Sequence, residues 1–267
     1  MKLKMTIIAA GLLAAPALAQ EAPKPFTVSG SVALVSDYRF RGVSQSDKHM
    51  AVQGGLTVAH ETGLYGSFWG SNLAGWGQFG GSNMELDLVG GYKHALGGAT
   101  VDVGLTWYMY PGGSSNTDFA EPYAKVSGTV GPVNLLVGLA YAPKQEALGN
   151  FSNTPQSRGQ KKDNVYLWGD TSAGIPGTPF TAKAHVGYSH GNPGLGPNGT
   201  SVTPTGEYLD WLIGADCVLG PVTLGIAYVD TDITKRESAY LQPNFSSSKN
   251  GSSIAASKIV FSIGAAF

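Results

Sequence analysis

The lengths of the connections constrain this chain more than any single segment does. Tight turns at 60–63 (HETG), 96–99 (LGGA), 130–132 (VGP), 174–179 (GIPGTP) and 219–221 (LGP) alternate strictly with long polar stretches at 41–50, 72–82, 111–120, 142–163, 190–206 and 231–257. A soluble β-sandwich with Greek-key connections jumps between sheets and brings long loops to both of its ends. An up-and-down barrel that crosses an outer membrane instead gathers short turns at its periplasmic rim and long loops at its extracellular rim. The alternation therefore predicts an all-β transmembrane antiparallel barrel and its orientation together.

The segments between the connections repeat with period two, which is the signature of strands with distinct faces. Twelve are predicted: Thr27–Phe40, Ala51–His60, Leu64–Ser71, Asn83–Leu96, Ala99–Tyr110, Glu121–Val130, Val133–Tyr141, Asn164–Ala173, Phe180–Ser189, Glu207–Leu219, Val222–Asp230 and Lys258–Phe267. In Ala99–Tyr110, for example, Val101, Val103, Leu105, Trp107 and Met109 oppose Asp102, Thr106 and Tyr108. Most are near the length a tilted membrane strand needs. An even number of strands leaves both termini at the short-turn, periplasmic end. Aromatics near strand ends, namely Tyr38, Phe40, Trp107, Tyr110, Tyr141, Tyr188, Tyr228 and Phe267, are expected to form girdles at the headgroup levels.

Residues 1–19 read as a cleaved signal peptide, with Lys2 and Lys4, an apolar run from Met5, and Ala17-Leu18-Ala19 as the small-x-small site. The barrel then occupies residues 20–267. Formal net charge is −1, and loss of Lys2 and Lys4 makes it two units more negative, which argues against a nucleic-acid partner. The lone Cys217 cannot form an intramolecular disulfide in an exported chain and reads as a small apolar strand residue. Outside the leader no apolar run approaches the length of a membrane helix, so an exported chain of this kind crosses lipid only as a closed barrel.

The stretches SDYRFRGVSQS at 36–46 and GLYGSFWGSN at 63–72 resemble the TorF family, proteobacterial outer-membrane proteins of unknown function grouped with the porins. Weaker similarity continues through VGGYKH at 89–94, GLTWYMYPG at 104–112 and VGLAYAPK at 137–144 to the terminal Phe. The resemblance implies an outer-membrane porin of a Gram-negative bacterium and brings no catalytic, cofactor or metal residues with it. Resemblance to outer-membrane proteins also implies that the terminal strand, ending on Phe267, is the signal read by the barrel assembly machinery.

If the apolar faces meet membrane lipid, the other faces line a lumen. Its candidate carboxylates are Asp37, Glu85, Asp87, Asp102, Glu121, Asp170, Asp210 and Asp216. Its candidate cations are Arg39, Arg41, Lys93, Lys125, Lys183 and Lys258, with His185 among them. The signs nearly balance, which predicts a passive channel for small hydrophilic solutes without strong charge selectivity. The alternative is a structural or adhesive barrel plugged by its own ion pairs, with functional external loops. Within SDYRFRG, Asp37, Arg39 and Arg41 share one face, and they are expected to pair with carboxylates on neighbouring strands and to pin register at the extracellular rim. An outer-membrane hydrolase is the least supported class. No His has a Ser and an acid beside it in a triad pattern, and His185 and His190 fall on opposite strand faces. No enzyme, cofactor or metal is expected.

Overall fold

The computed structural model describes residues 25–149, 154–195 and 199–267, so the predicted leader at 1–19 lies outside the described residues. Twelve strands form one closed barrel: β1 Phe26–Val35, β2 Ala51–His60, β3 Leu64–Asn72, β4 Met84–Leu96, β5 Ala99–Met109, β6 Phe119–Val130, β7 Val133–Gln145, β8 Lys162–Gly174, β9 Phe180–Gly191, β10 Glu207–Leu219, β11 Val222–Thr231 and β12 Lys258–Ala266. Each strand pairs antiparallel with its sequence neighbour, and β1 closes the ring against β12. Closure leaves no unpaired strand edge, the condition for a sheet in hydrocarbon. Short turns and long loops segregate to opposite ends, as the alternation predicts.

The apolar face points outward on every strand. Val28, Val32 and Leu34 on β1, Val103, Leu105 and Trp107 on β5, and Ile259, Phe261 and Ile263 on β12 are all exposed. Cys217, on the same parity as Ile213 on β10, is partly exposed. Of the expected girdle, Trp107, Tyr141, Tyr228 and Phe267 are exposed, whereas Tyr38 is buried and Phe40 and Tyr110 pack with it inside the barrel.

Inward glycines make room for inward aromatics. Gly91 lies beneath Tyr65, Gly104 beneath Tyr123, Gly138 beneath Trp168 and Gly187 beneath Tyr166, each ring reaching across from an adjacent strand. This pairing of a bare backbone with a flat ring is a device for holding register in a curved sheet. A Cβ at Gly138 would penetrate the Trp168 indole, whereas one at the outward Gly90 meets open space. Gly138→Ala is therefore expected to destabilise the refolded barrel by about 1–3 kcal/mol. Gly90→Ala should leave the urea midpoint unchanged in the same unfolding measurement.

The main departure from expectation is at the end of β1. The predicted strand Thr27–Phe40 stops at Val35, because Ser36 caps it: its backbone N–H donates to Phe261 O at 2.8 Å and its Oγ accepts from Phe261 N at 2.9 Å. The chain then turns into the barrel. Arg39–Phe40 and Val43–Ser44 form a small hairpin whose two turn residues, Arg41 and Gly42, both have positive φ (47° and 78°). That is the two-residue turn geometry favoured in tight hairpins. Period two persists through 37–41 because a hairpin also alternates, but here both faces are enclosed and neither meets lipid.

Candidate functional site

The lumen has two levels that differ in solvation. At the long-loop end the hairpin segment 36–50 lies across the mouth, covered by the loop between β11 and β12. Val43 on the hairpin packs with Trp76 of the β3–β4 loop and with Phe245 and Ile254 of the last loop, all buried, with the Trp76 and Phe245 rings 4.8 Å apart edge to face. The Ser- and Asn-rich loop 231–257, expected to be an ordinary solvated loop, thus carries part of an apolar cap. Its composition hides this because its few apolar residues are widely spaced.

Arg39 staples the two segments together. Its Nε donates to Asp37 Oδ2 at 2.8 Å and its Nη1 to the carbonyls of Gly42, Ile254 and Ala256 at 2.9, 3.0 and 3.1 Å. Asp37 also accepts from Ser44 Oγ at 2.6 Å. The expectation that this Asp and Arg pair with carboxylates on neighbouring strands is corrected: they pair with each other, because the segment that carries them is no longer a strand.

Arg41 reaches across the lumen. Its Nη2 lies 2.7 Å from both carboxylate oxygens of Glu121 on β6, and Tyr108 OH donates to the same carboxylate at 3.2 Å. The guanidinium sits 4.1 Å from the ring centre of Tyr166 on β8 and 4.7 Å from that of Phe40. The Asn164 amide, turned to satisfy its neighbours, accepts from Arg41 Nη1 at 2.9 Å. β6 and β8 are each five strands round the ring from β1, flanking the strand opposite it. Arg41 therefore does not pin the rim of β1; it ties the hairpin to the far wall.

The other mouth residues complete a buried network. Tyr38 OH donates to both oxygens of Glu85 at 3.3 Å. Asp87, two residues along β4, is buried with no hydrogen-bond partner for Oδ1. Tyr166 OH joins Asp210 at 3.2 Å and His185 Nε2 at 2.9 Å. His185 lies between two carboxylates, Nδ1 2.6 Å from Asp170 and Nε2 3.1 Å from Asp210. With both ring nitrogens engaged by acids, this histidine braces three strands and has no free nitrogen to act as a base. Lys258, at the start of β12, makes no ion pair among the described residues.

The short-turn half is different. Lys93, Asp102 and Lys125 stand in one register row on β4, β5 and β6. Lys125 is 3.2 Å from Asp102, Tyr65 OH donates to Asp102 at 2.8 Å, and the Tyr65 and Tyr123 hydroxyls are hydrogen-bonded. Lys93 and Lys125 sit over the rings of Tyr65 and Tyr123 at 4.5 and 4.2 Å. Lys183 pairs with Asp216 at 2.6 Å.

Exposure separates the two levels. Side chains of the Lys183–Asp216 pair are 21% and 25% exposed, against 5% and 4% for Arg41–Glu121 and 5% and 0% for Arg39–Asp37. The Lys183–Asp216 pair near the short turns is thus more accessible than the pairs made by the hairpin. A void of about 20 Å³ remains at the mouth between Phe40, Val43, Trp76, Phe79, Glu85 and Tyr110, room for about one water. Of the fourteen charged residues expected in the lumen, eleven stand on barrel strands, and Asp37, Arg39 and Arg41 stand on the inturned segment after β1. What sequence reasoning missed is their partners Tyr38 and Asn164, because the path of the hairpin brings them together.

Among solved structures the chain is similar to a NanC porin, at 15% identity and a TM-score of 0.56, over 90% of this chain and 99% of that one. A membrane protein from a study of in-meso crystallization matches at 10% identity and a TM-score of 0.51, over 90% and 83%. An outer-membrane channel from Pseudomonas putida F1 aligns at 11% identity and a TM-score of 0.45, over 92% and 97%. No curated protein matches the sequence significantly. The fold is that of an outer-membrane porin. The closed barrel and nearly every residue that builds its lumen fall within residues 19–267, the span matched by the family described as bacterial protein of unknown function (Gcw_chp), and the chain belongs to that family.

Proposed function

We propose that the protein is a passive outer-membrane channel of the porin type for small hydrophilic solutes, held closed at its long-loop end by the hairpin 36–50. The observation that carries this reading is that a loop segment, and not the barrel wall, fills the mouth above a less buried lower lumen. The TorF resemblance and the porin fold support the same class and an outer-membrane location in a Gram-negative bacterium. By the same reading the long loops face outward, both termini are periplasmic, and the exposed apolar band meets lipid. Over the whole lumen, hairpin included, the two signs nearly balance, which argues against a ring of one sign and for weak charge preference.

Purified protein in planar bilayers should give brief discrete openings separated by long silent periods. Silence from both the native chain and a variant lacking the hairpin would overturn the channel reading in favour of the plugged structural barrel, which the burial of Arg41 and Asp37 otherwise favours.

A further inference from the structure

Apart from Phe40 of the hairpin, whose ring centre lies 4.7 Å from the guanidinium, the Arg41 pocket is built from the barrel wall. Glu121 offers both oxygens at 2.7 Å, Tyr166 offers a ring face at 4.1 Å, and Asn164 offers an amide oxygen at 2.9 Å. A carboxylate for one guanidinium nitrogen, a neutral amide acceptor for the other and an aromatic face are together recognition elements of a planar guanidinium. Besides the Phe40 ring, the hairpin contributes only the occupant. We infer that this pocket is a binding site for guanidinium-bearing or similar planar organic cations, that Arg41 is its built-in ligand, and that an incoming cation which displaces Arg41 releases the hairpin from the far wall.

Charge supports the assignment. When the hairpin segment leaves, Arg39, Arg41 and Lys48 leave with Asp37 and Asp47, a net loss of one positive charge, while Glu85, Asp87, Glu121 and Asp210 stay on the wall. Asp87 is 9% exposed, and its Oδ1 has no hydrogen-bond partner even with the hairpin present. Nearby, His185 is already engaged by Asp170 and Asp210, and Lys258 stands on β12, next to β1 and away from the pocket. The vacated mouth is therefore acidic, and a cation that enters it takes the place Arg41 held beside Glu121. A cationic solute that binds only the displaced state shifts the equilibrium toward it. Release of the far-wall tie rests on the channel reading for its effect on current; the binding site does not.

Arg41→Gly is the informative variant, because Arg41 already has a positive φ that glycine adopts without strain. Titrated into the purified variant in detergent, methylguanidinium should bind with a dissociation constant on the order of 1 mM. Adding Glu121→Gln should weaken it by about tenfold or more. Methylammonium, which lacks the fork, should bind about tenfold more weakly than methylguanidinium. Equal binding with and without Glu121→Gln, or no binding, overturns the site. In bilayers, methylguanidinium should raise the open fraction of the native channel while tetramethylammonium does not. This second measurement stands even if Arg41→Gly fails to fold, and the same response to both cations overturns the proposal. Binding to the glycine variant with no current from any form retains the site and removes the channel reading.

Discussion

Replacing residues 37–49 with an Asn-Gly turn is expected to turn a mostly silent barrel into a steadily conducting one, with mean current rising by at least about tenfold. The connection is feasible because Val35 and Ala51 are direct partners on β1 and β2, so a tight hairpin can join the strands where they stand. Twelve strands about 4.8 Å apart and tilted by about 40° give a backbone radius of about 12 Å, and the ring of inward Tyr and Trp side chains leaves a narrow path. The deletion removes Arg39, Arg41 and Asp37 together and admits water to Glu121, Glu85 and Asp87. These carboxylates then hydrate, so the deletion avoids the penalty of a dry unpaired charge.

A single Arg41→Ala keeps the hairpin and its apolar cap, and leaves Glu121 buried with only Tyr108 beside it. It should cost about 3–5 kcal/mol of stability while raising current less than the deletion does. Urea unfolding and bilayer recording on the two variants separate the roles. Equal currents from the native chain and the deletion would mean that the hairpin does not close the mouth.

The barrel itself was legible because its determinants are local. Alternation along β5 or β12 needs no knowledge of the neighbouring strand, and the difference between LGGA and a long polar loop is visible directly. Inward parity placed Glu121 and His185 on the inner face for the same reason. The mouth was not legible, because its contacts join residues far apart in the chain: Arg41 with Glu121 and Asn164, Arg39 with Ile254 and Ala256. Tyr38 and Phe40 misled in a specific way. Aromatics spaced as a girdle look the same whether the strand continues through lipid or bends inward, and only Ser36 with its Phe261 partner marks where β1 ends. The adjacent Arg41-Gly42 turn was the local signal for the bend, and continued alternation concealed it.

The seam between β1 and β12 is where assembly is expected to be most sensitive. Its paired register runs only from Ser31–Ala266 to Val35–Ser262, five partner pairs against eleven between β8 and β9. One further exchange closes it, Gly30 N to Phe267 O at 2.8 Å and Phe267 N to Gly30 O at 2.9 Å. The Phe267 ring, exposed on the lipid side, lies flat over Gly30, where a Cβ would come within 2.6 Å of it. Gly30→Val should therefore force the last residue out of the ladder in the shortest interface of the ring. We expect a fall in heat-modifiable, outer-membrane-inserted protein larger than that caused by Phe267→Ala, since overpacking at about 1–3 kcal/mol adds to the lost pair. The double variant Gly30→Val with Phe267→Ala decides what Phe267 is for. If the ring acts by packing on Gly30, removing it relieves the clash and the double variant inserts better than Gly30→Val alone. If Phe267 is instead read as a side chain by the assembly machinery, the two losses add, and the double variant inserts worst of the three.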